Sequence, residues 1–341
     1  MTHHRTLHIR LPLGQTFALA LLILALVTLV GEAFARVVLP HTDLPTAIGS
    51  QNPTFDQKIG MLDRLADEAG GVDCIFLGSS VVLNGLDPAA FSAAYAAQTG
   101  QAITCYNFGV PALTARTAGV LAEFLVERYQ PGLLVYGFTL RALAADVPQA
   151  DEVYSGIVET PWFEYKRGSV NVRGWLVEHS TAYRYYLALR NWITPLFTNE
   201  LRQHIHAPDD GYEPFHSFYK LDPARIHVPD YFASYTTAPD AWAGLEQIVA
   251  LHGDTQVLLL DMPLPDFLRA QFDGGADAYQ AVVDEVGAYA QARGVTLLST
   301  NPLDLIPGDD WAEDGQHVNH QGAQILSRWL GEQVGQMRRA S

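Results

Sequence analysis

The chain has 341 residues, 48% of them hydrophobic, which is enough to bury the core of one large α/β domain or two small ones, and no stretch has the composition of disorder. Its formal net charge is −16 with no Lys/Arg-rich run, which excludes the phosphate-neutralising surface on which nucleic-acid affinity depends. An acidic surface of this kind speaks for solubility and says little about a substrate.

Residues 1–10 are a short lead carrying Arg5 and Arg10. No residue from 11 to 31 is charged, and residues 17–30 read FALALLILALVTLV. About 20 apolar residues cross a bilayer as a helix, so residues 11–36 are predicted to be a transmembrane signal-anchor with a cytoplasmic N-terminus. Ala33-Phe34-Ala35 has the small-x-small spacing of a signal-peptidase site, so a secreted form cleaved near Ala35 is the alternative. Both readings place residues 40–341 outside the cytoplasm.

Residues 40–55, with Pro40, Pro45 and Pro53, read as a loop, and a helix follows over about 56–69. VDCIFLG is the first strand and runs straight into Ser79-Ser80. LDPAAFSAAYAAQ is a helix with Asp87 as N-cap and Pro88 at its first position. AITCYNFG is the second strand. A helix capped by Thr114 stops before Pro131, and GLLVYGF is the third strand. TQVLLLDMP is the fourth strand, a helix ending at Gly294 follows, VTLLST is the fifth, and NHQGAQILSRWLGEQVGQM is the last helix. Cys74 and Cys105 each sit four residues before a glycine on a predicted strand. They are either two small buried side chains or, if those strands are neighbours, two thiols close to each other; no CxxC or metal-ligand spacing is present.

Residues 142–250 separate the third and fourth strands and are rich in aromatics, among them Trp162, Phe163, Phe215 and Tyr231. A structureless loop of that length would be unusual, so the segment reads as a largely helical insertion over the carboxyl edge of the sheet, with residues 180–193 its clearest helix. His204, His206, Asp209, Asp210 and His216 lie in a Pro/Gly-containing stretch without fixed ligand spacing, and read as a solvated loop with no metal.

Strands that are continuous apolar runs and alternate with helices are the pattern of a parallel sheet covered on both faces. Ligands bind such sheets beyond the carboxyl ends of the strands, where Gly78-Ser79-Ser80 and Gly109 fall. A reactive serine needs a base, an acid to orient that base, and donors for the oxyanion. WAEDGQHVNHQGAQ offers Asp314 and His317 three residues apart just before the last helix, with His320 as the rival base. The GxSxG elbow is absent.

Together these pieces resemble the SGNH hydrolase superfamily, the GDSL esterases. FLGSS is similar to its first block, with Ser80 at the nucleophile; YNFGVPALTA resembles the second, NxGxxGxT, through Asn107 and Gly109; DGQH matches the last, DxxH, with Asp314 and His317. The resemblance covers residues 72 to about 140 and 255 to 332. It implies a flavodoxin-like three-layer α/β/α fold with a five-stranded parallel sheet, and no cofactor. It also implies Ser80 as nucleophile, His317 as base, Asp314 as orienting acid, and an oxyanion hole from the backbone N–H groups of Ser80 and Gly109. Thr139 stands where the third block, GxND, has its asparagine, and is the third oxyanion candidate. Arg141, nearby, either meets an anionic substrate or forms a surface ion pair. Ser79 replaces the usual Asp, and Ala112 the second glycine of the second block.

These departures, with the N-terminal segment and the insertion, resemble the branch that includes DltD and the alginate O-acetylation proteins. That branch is membrane-attached or exported, acts on acyl groups of cell-envelope polymers, and often works with a membrane-bound O-acyltransferase. The resemblance therefore implies a membrane-anchored serine esterase or deacylase acting on acyl (acetyl) esters of cell-envelope carbohydrate. The alternatives are an O-acyltransferase using the same Ser80 acyl-enzyme, or a catalytically degenerate domain that binds or scaffolds.

Overall fold

The computed structural model describes residues 12–42, 44, 46–198, 210–215 and 220–340. His204, His206, Asp209 and His216 lie outside the described residues. The elements are α1 (Leu13–Val37), α2 (Pro53–Ala69), β1 (Cys74–Gly78), α3 (Ser80–Gly85), α4 (Pro88–Thr99), β2 (Cys105–Gly109), α5 (Ala115–Tyr129) and β3 (Leu133–Phe138). Between β3 and β4 (Gln256–Asp261) come α6 (Ala150–Val158), α7 (Pro161–Lys166), α8 (Val172–His179), α9 (Thr181–Thr198) and α10 (Pro239–Ala250). The chain finishes with α11 (Asp266–Arg269), α12 (Gly275–Gln291), β5 (Thr296–Ser299) and α13 (His320–Ala340).

The helix boundaries follow local chemistry. Asn52 accepts from the Phe55 N–H ahead of α2, and Asp87 accepts from the Ala89 and Ala90 N–H groups ahead of α4. Both helices carry Pro in the first turn and end on a glycine in the left-handed region, Gly70 and Gly100. Thr114 occupies the N-cap position of α5 without a side-chain capping bond.

All five strands are parallel, in the order β2-β1-β3-β4-β5. This is the flavodoxin-like doubly wound arrangement. Successive residues of each strand point into different layers. Ile75, Leu77, Tyr106, Leu134 and Leu259 pack with Phe55, Leu121, Leu245 and Val283 of α2, α5, α10 and α12. Phe76, Val135, Leu258 and Leu260 pack with Phe91 of α4 and with Leu326 and Leu330 of α13. This explains why the strands are apolar without alternation: both faces are covered. Cys74 and Cys105 are register partners on β1 and β2 and are buried free thiols.

Among the described residues, the long segment between β3 and β4 is largely helical up to Thr198 and helical again in α10, and that last helix is part of the α/β body. α10 buries Ala241, Leu245 and Ile248 in the same layer as α5, and is the crossover helix that returns the chain to β4. α1 is different in kind. Apart from Ala35 its described residues are not buried, and it is long and apolar enough to cross a membrane.

β4 ends on Asp261, which is fully buried. Its Oδ2 accepts from Ser299 Oγ at 2.7 Å and from Asn301 Nδ2 at 2.5 Å, and its Oδ1 has no partner among the described residues. Burial pushes the carboxyl up to about 7, against the lowering effect of those two donors. The folded protein therefore keeps a proton that the unfolded chain gives up near its ordinary value of 3.8. Stability from this group is complete below that value and is lost as pH rises to about 7. Asp261→Asn keeps a neutral acceptor for Ser299 and Asn301. Its unfolding free energy is expected to gain on the parent by up to roughly 1.4 kcal/mol per pH unit between pH 4.5 and 7 and then level off, with the melting temperature following. Paired thermal melts across that range check it.

Candidate active site

Gly78, Gly109 and Gly137 form a row across three neighbouring strands, since Gly78 is the register partner of both others. α3 lies directly on this row. A Cβ at Gly78 would come within 2.4 Å of the Gly137 carbonyl oxygen and of Val82 Cγ2. One at Gly109 would lie 2.3 Å from the Leu83 nitrogen, and one at Gly137 2.5 Å from Val82 Cγ2. Only glycine lets the helix sit flush on the strand ends. The Ser79 carbonyl, just before α3, accepts from Val82 and Leu83 N–H, both at 3.0 Å. Ser80 is thereby held at the first position of a helix anchored to the middle of the sheet edge.

Asn107 fastens the other end of α3. Fully buried on β2, it donates from Nδ2 to the Val82 carbonyl at 2.8 Å and the Leu86 carbonyl at 2.6 Å. Its Oδ1 accepts the Gly109 N–H at 2.8 Å. This corrects one expectation. The Gly109 amide is occupied by Asn107 rather than turned toward an oxyanion, and the glycine is required by the close approach of Leu83.

The loop before α13 is a small hairpin. Trp311 and Val318 bridge antiparallel, and the Ala312 N–H donates to the His317 carbonyl at 2.8 Å. Gly315, with φ of 69°, makes its turn. Asp314 Oδ1 accepts the Gln316 and His317 N–H groups, each at 3.0 Å, and Oδ2 lies 2.5 Å from His317 Nδ1. The carboxylate at Nδ1 fixes the tautomer, leaving the Nε2 lone pair to accept from Ser80 Oγ at 2.8 Å. Serine, imidazole and carboxylate are thus in line. Burial works against the Asp314 charge. The hydrogen bond and charge of His317, with the two backbone donors, outweigh it and hold the carboxyl below its ordinary range. The contact is accordingly present at neutral pH and lost only as acid passes that lowered value.

The other singled-out residues are not all brought together. His320 opens α13 and is engaged elsewhere, its Nδ1 2.9 Å from Tyr212 Oη and its Nε2 3.2 Å from Gln324 Nε2. Thr139 is buried two residues beyond Gly137, at the edge one strand over from Ser80. Arg141 follows in the 3-10 turn Leu140–Leu143 and reaches the Pro148 carbonyl at 3.5 Å; burial lowers its pKa, with the neighbouring Tyr231 opposing. Ala112 adopts φ of 61°, in the left-handed region, and its N–H meets no carbonyl among the described residues. Phe215 stacks on the His317 ring with centroids 5.3 Å apart and planes 15° apart. Nothing in the sequence distinguished it from the other aromatics of its segment. Among the described residues no three His, Cys, Asp or Glu side chains are grouped to hold a metal.

An aligned serine, histidine and aspartate at the carboxyl edge of a doubly wound parallel sheet defines the class of site. No family model matches the sequence, and no curated protein does. Solved structures similar to this chain include a Clostridium thermocellum family 3 carbohydrate esterase, at 10% identity and a TM-score of 0.38 over 79% of this chain and 98% of that one. A lipase/acylhydrolase from Enterococcus faecalis is similar at 13% identity and a TM-score of 0.36, over 78% and 97% of the two chains. A carbohydrate acetylesterase family member from Sinorhizobium meliloti is similar at 11% and 0.34, over 79% and 100%. Overlaps this partial define nothing by themselves; the strand order and side-chain geometry carry the reading of the site.

Asn107→Ala leaves the Leu86 carbonyl and the Gly109 amide without their partner, and takes one of two donors from the Val82 carbonyl, which also accepts the Leu86 N–H. At about 1–3 kcal/mol for each buried group left unpaired, the loss is expected to reach roughly 3 kcal/mol or more. Asn107→Asp keeps the acceptor for Gly109 but turns a carboxyl oxygen toward the Val82 and Leu86 carbonyls in place of a donor, and is expected to lose at least as much. Denaturant unfolding of the two variants checks the order.

Proposed function

We propose that this protein is a serine esterase of the SGNH type, held at a membrane by α1, that removes acyl groups, acetyl in particular, from cell-envelope carbohydrate. The observation that carries the reading is the unbroken line from Ser80 Oγ through His317 to Asp314. Ser80 attacks the ester carbonyl while His317 Nε2 takes its proton. The tetrahedral intermediate collapses, His317 returns the proton to the leaving alcohol, and water then releases the acyl group by the same exchange. Asp314 holds the imidazole in the required tautomer and stabilises the imidazolium.

With the Gly109 amide occupied, the oxyanion falls to the Ser80 N–H, in the open first turn of α3, together with the Ala112 N–H or Thr139. Arg141 remains the candidate for an anionic part of the substrate. The polymer class, and a membrane-bound O-acyltransferase as partner, are expectations from the resemblance.

The contacts of α1 favour an uncleaved anchor. Glu32 accepts from Ser180 Oγ at 2.7 Å, Thr181 N–H at 2.8 Å and Ala182 N–H at 3.1 Å, which caps α9. Arg36 Nη2 donates to the His179 carbonyl at 2.8 Å. Cleavage after Ala35 would remove Glu32 and leave those donors of α9 without it. Intact mass of the membrane-extracted protein is expected to include residues 1–35.

Full-length protein in detergent is expected to react with a fluorophosphonate probe and to hydrolyse p-nitrophenyl acetate. Ser80→Ala abolishes both, and His317→Ala and Asp314→Asn each lower kcat by about 1000-fold or more. Labelling of Ser80 without hydrolysis would point instead to transfer onto an acceptor hydroxyl. No labelling would sink the enzyme reading and favour the scaffold.

A further inference from the structure

Residues 210–215 run across the open edge of the sheet and end beside the aligned serine and histidine. The Asp210 carbonyl accepts the Asn107 N–H at 2.8 Å, so the segment adds itself to β2, which is an edge strand. It then crosses onto α3. The Glu213 N–H donates to the Leu83 carbonyl at 3.2 Å, and Asn84 Nδ2 donates to the Glu213 carbonyl at 2.8 Å. Gly211 takes φ of 76°, and a Cβ there would lie 2.3 Å from the Asn107 carbonyl oxygen. The strap ends with Phe215 on the His317 ring.

Beneath the strap lies Lys58 of α2, fully buried. Its Nζ donates to the Asn107 carbonyl at 2.7 Å and to the Gly211 carbonyl at 2.5 Å. One ammonium thus joins a helix, the edge strand and the strap. A buried lysine is retained at a cost unless its donors are met. Burial lowers its pKa to about 7, opposed by the charges of Glu213 and Asp210, both strap residues. Glu213 Oε1 is itself buried without a partner among the described residues. The charges and acceptors around Lys58 therefore come from the strap and from the strand it joins.

We propose that Lys58 is a positioning residue that pins the strap so that Phe215 seats against one face of the His317 imidazole and sets the plane of that ring. Asp314 and Ser80 meet the ring only at its edge, through Nδ1 and Nε2, and edge contacts leave its plane some freedom to tilt. Stacking on its face removes this freedom and keeps Nε2 aimed at Ser80 Oγ. The kinetic part of the inference rests on the esterase reading; the structural part does not.

The test uses the full chain in nanodiscs with histidine-selective 13C labelling, the His317 resonance being identified by its loss in His317→Gln. A ring stacked face-on shifts the imidazole Hε1 signal upfield. Lys58→Met and Phe215→Leu are both expected to remove that shift, and Phe215→Tyr to retain it. For turnover, Phe215→Leu is expected to lower kcat about 2- to 12-fold with KM nearly unchanged, as befits the loss of one aromatic pair. Phe215→Tyr restores kcat. If Lys58→Met does not fold, Gly211→Ala loosens the strap from its other side and carries the same expectation. An unchanged His317 signal in a folded Lys58→Met or Gly211→Ala protein overturns the proposal, as does a fall in kcat that Phe215→Tyr fails to rescue. A wild type that shows the upfield signal but no turnover defeats the esterase reading and leaves the strap standing.

Discussion

A helix can rest flush on the end of a parallel sheet only where the residues beneath it have no side chains. Gly78, Gly109 and Gly137 meet that condition on three adjacent strands, and α3 lies within 2.3–2.5 Å of where their Cβ atoms would be. The position of Ser80 follows. Its helix cannot slide along the edge without driving Val82 or Leu83 into a strand, and Asn107 ties the helix's far end down. The two lone pairs and two donors of a side-chain amide suit this task. One group receives the glycine amide and donates to the Val82 and Leu86 carbonyls, the second of which has no other partner among the described residues.

His317 reaches Ser80 from 237 residues away in sequence, so its placement depends on a second chain of contacts. α13 packs through Leu326 and Leu330 on Phe91 of α4 and Phe76 of β1, in the same layer that Val82 of α3 enters. Ser80 and His317 are therefore referenced to one core. The Asp310 to Asn319 hairpin adds only a short, internally bonded link between that core and the imidazole. A site built this way tolerates variation in the long helical segment between β3 and β4, except where that segment returns to touch the ring.

Much of this was legible from residue order. Unbroken apolar runs ending in glycine marked the strands because both faces of a doubly wound sheet are buried. Asp87 and Pro88 marked the start of α4 because capping is local, whereas α2 begins at Pro53, ahead of the expected start near residue 56. Ser80, Asp314 and His317 were legible because each lies at a strand end or helix start, and the structure brings the three together. What was hidden depends on distant partners. Gly109 was read as an oxyanion donor, and only the Asn107 contact shows its amide to be occupied. Phe215 was one aromatic among many, and nothing in residue order set Lys58 apart, until the strap brought both to the sheet edge. Glu32 and Arg36 looked like flanking charges of an apolar helix, and their bonds to the α8–α9 junction span more than 140 residues.

Ala112 carries the last step. A non-glycine residue in the left-handed region costs roughly 1–2 kcal/mol, and such strain persists where surrounding structure over-determines the backbone. Here the constraint comes from both sides. Val110 donates to the Gly78 carbonyl at 2.9 Å, and the Leu113 N–H closes the turn on the Val110 carbonyl at 3.2 Å. The turn between them puts Ala112 in the left-handed region, and among the described residues its N–H meets no acceptor. A relative with glycine at this position would form the same turn without the strain. That the chain keeps the turn despite its alanine indicates that the backbone conformation, and the direction in which the amide points, matter more at this edge than the stability lost to hold them.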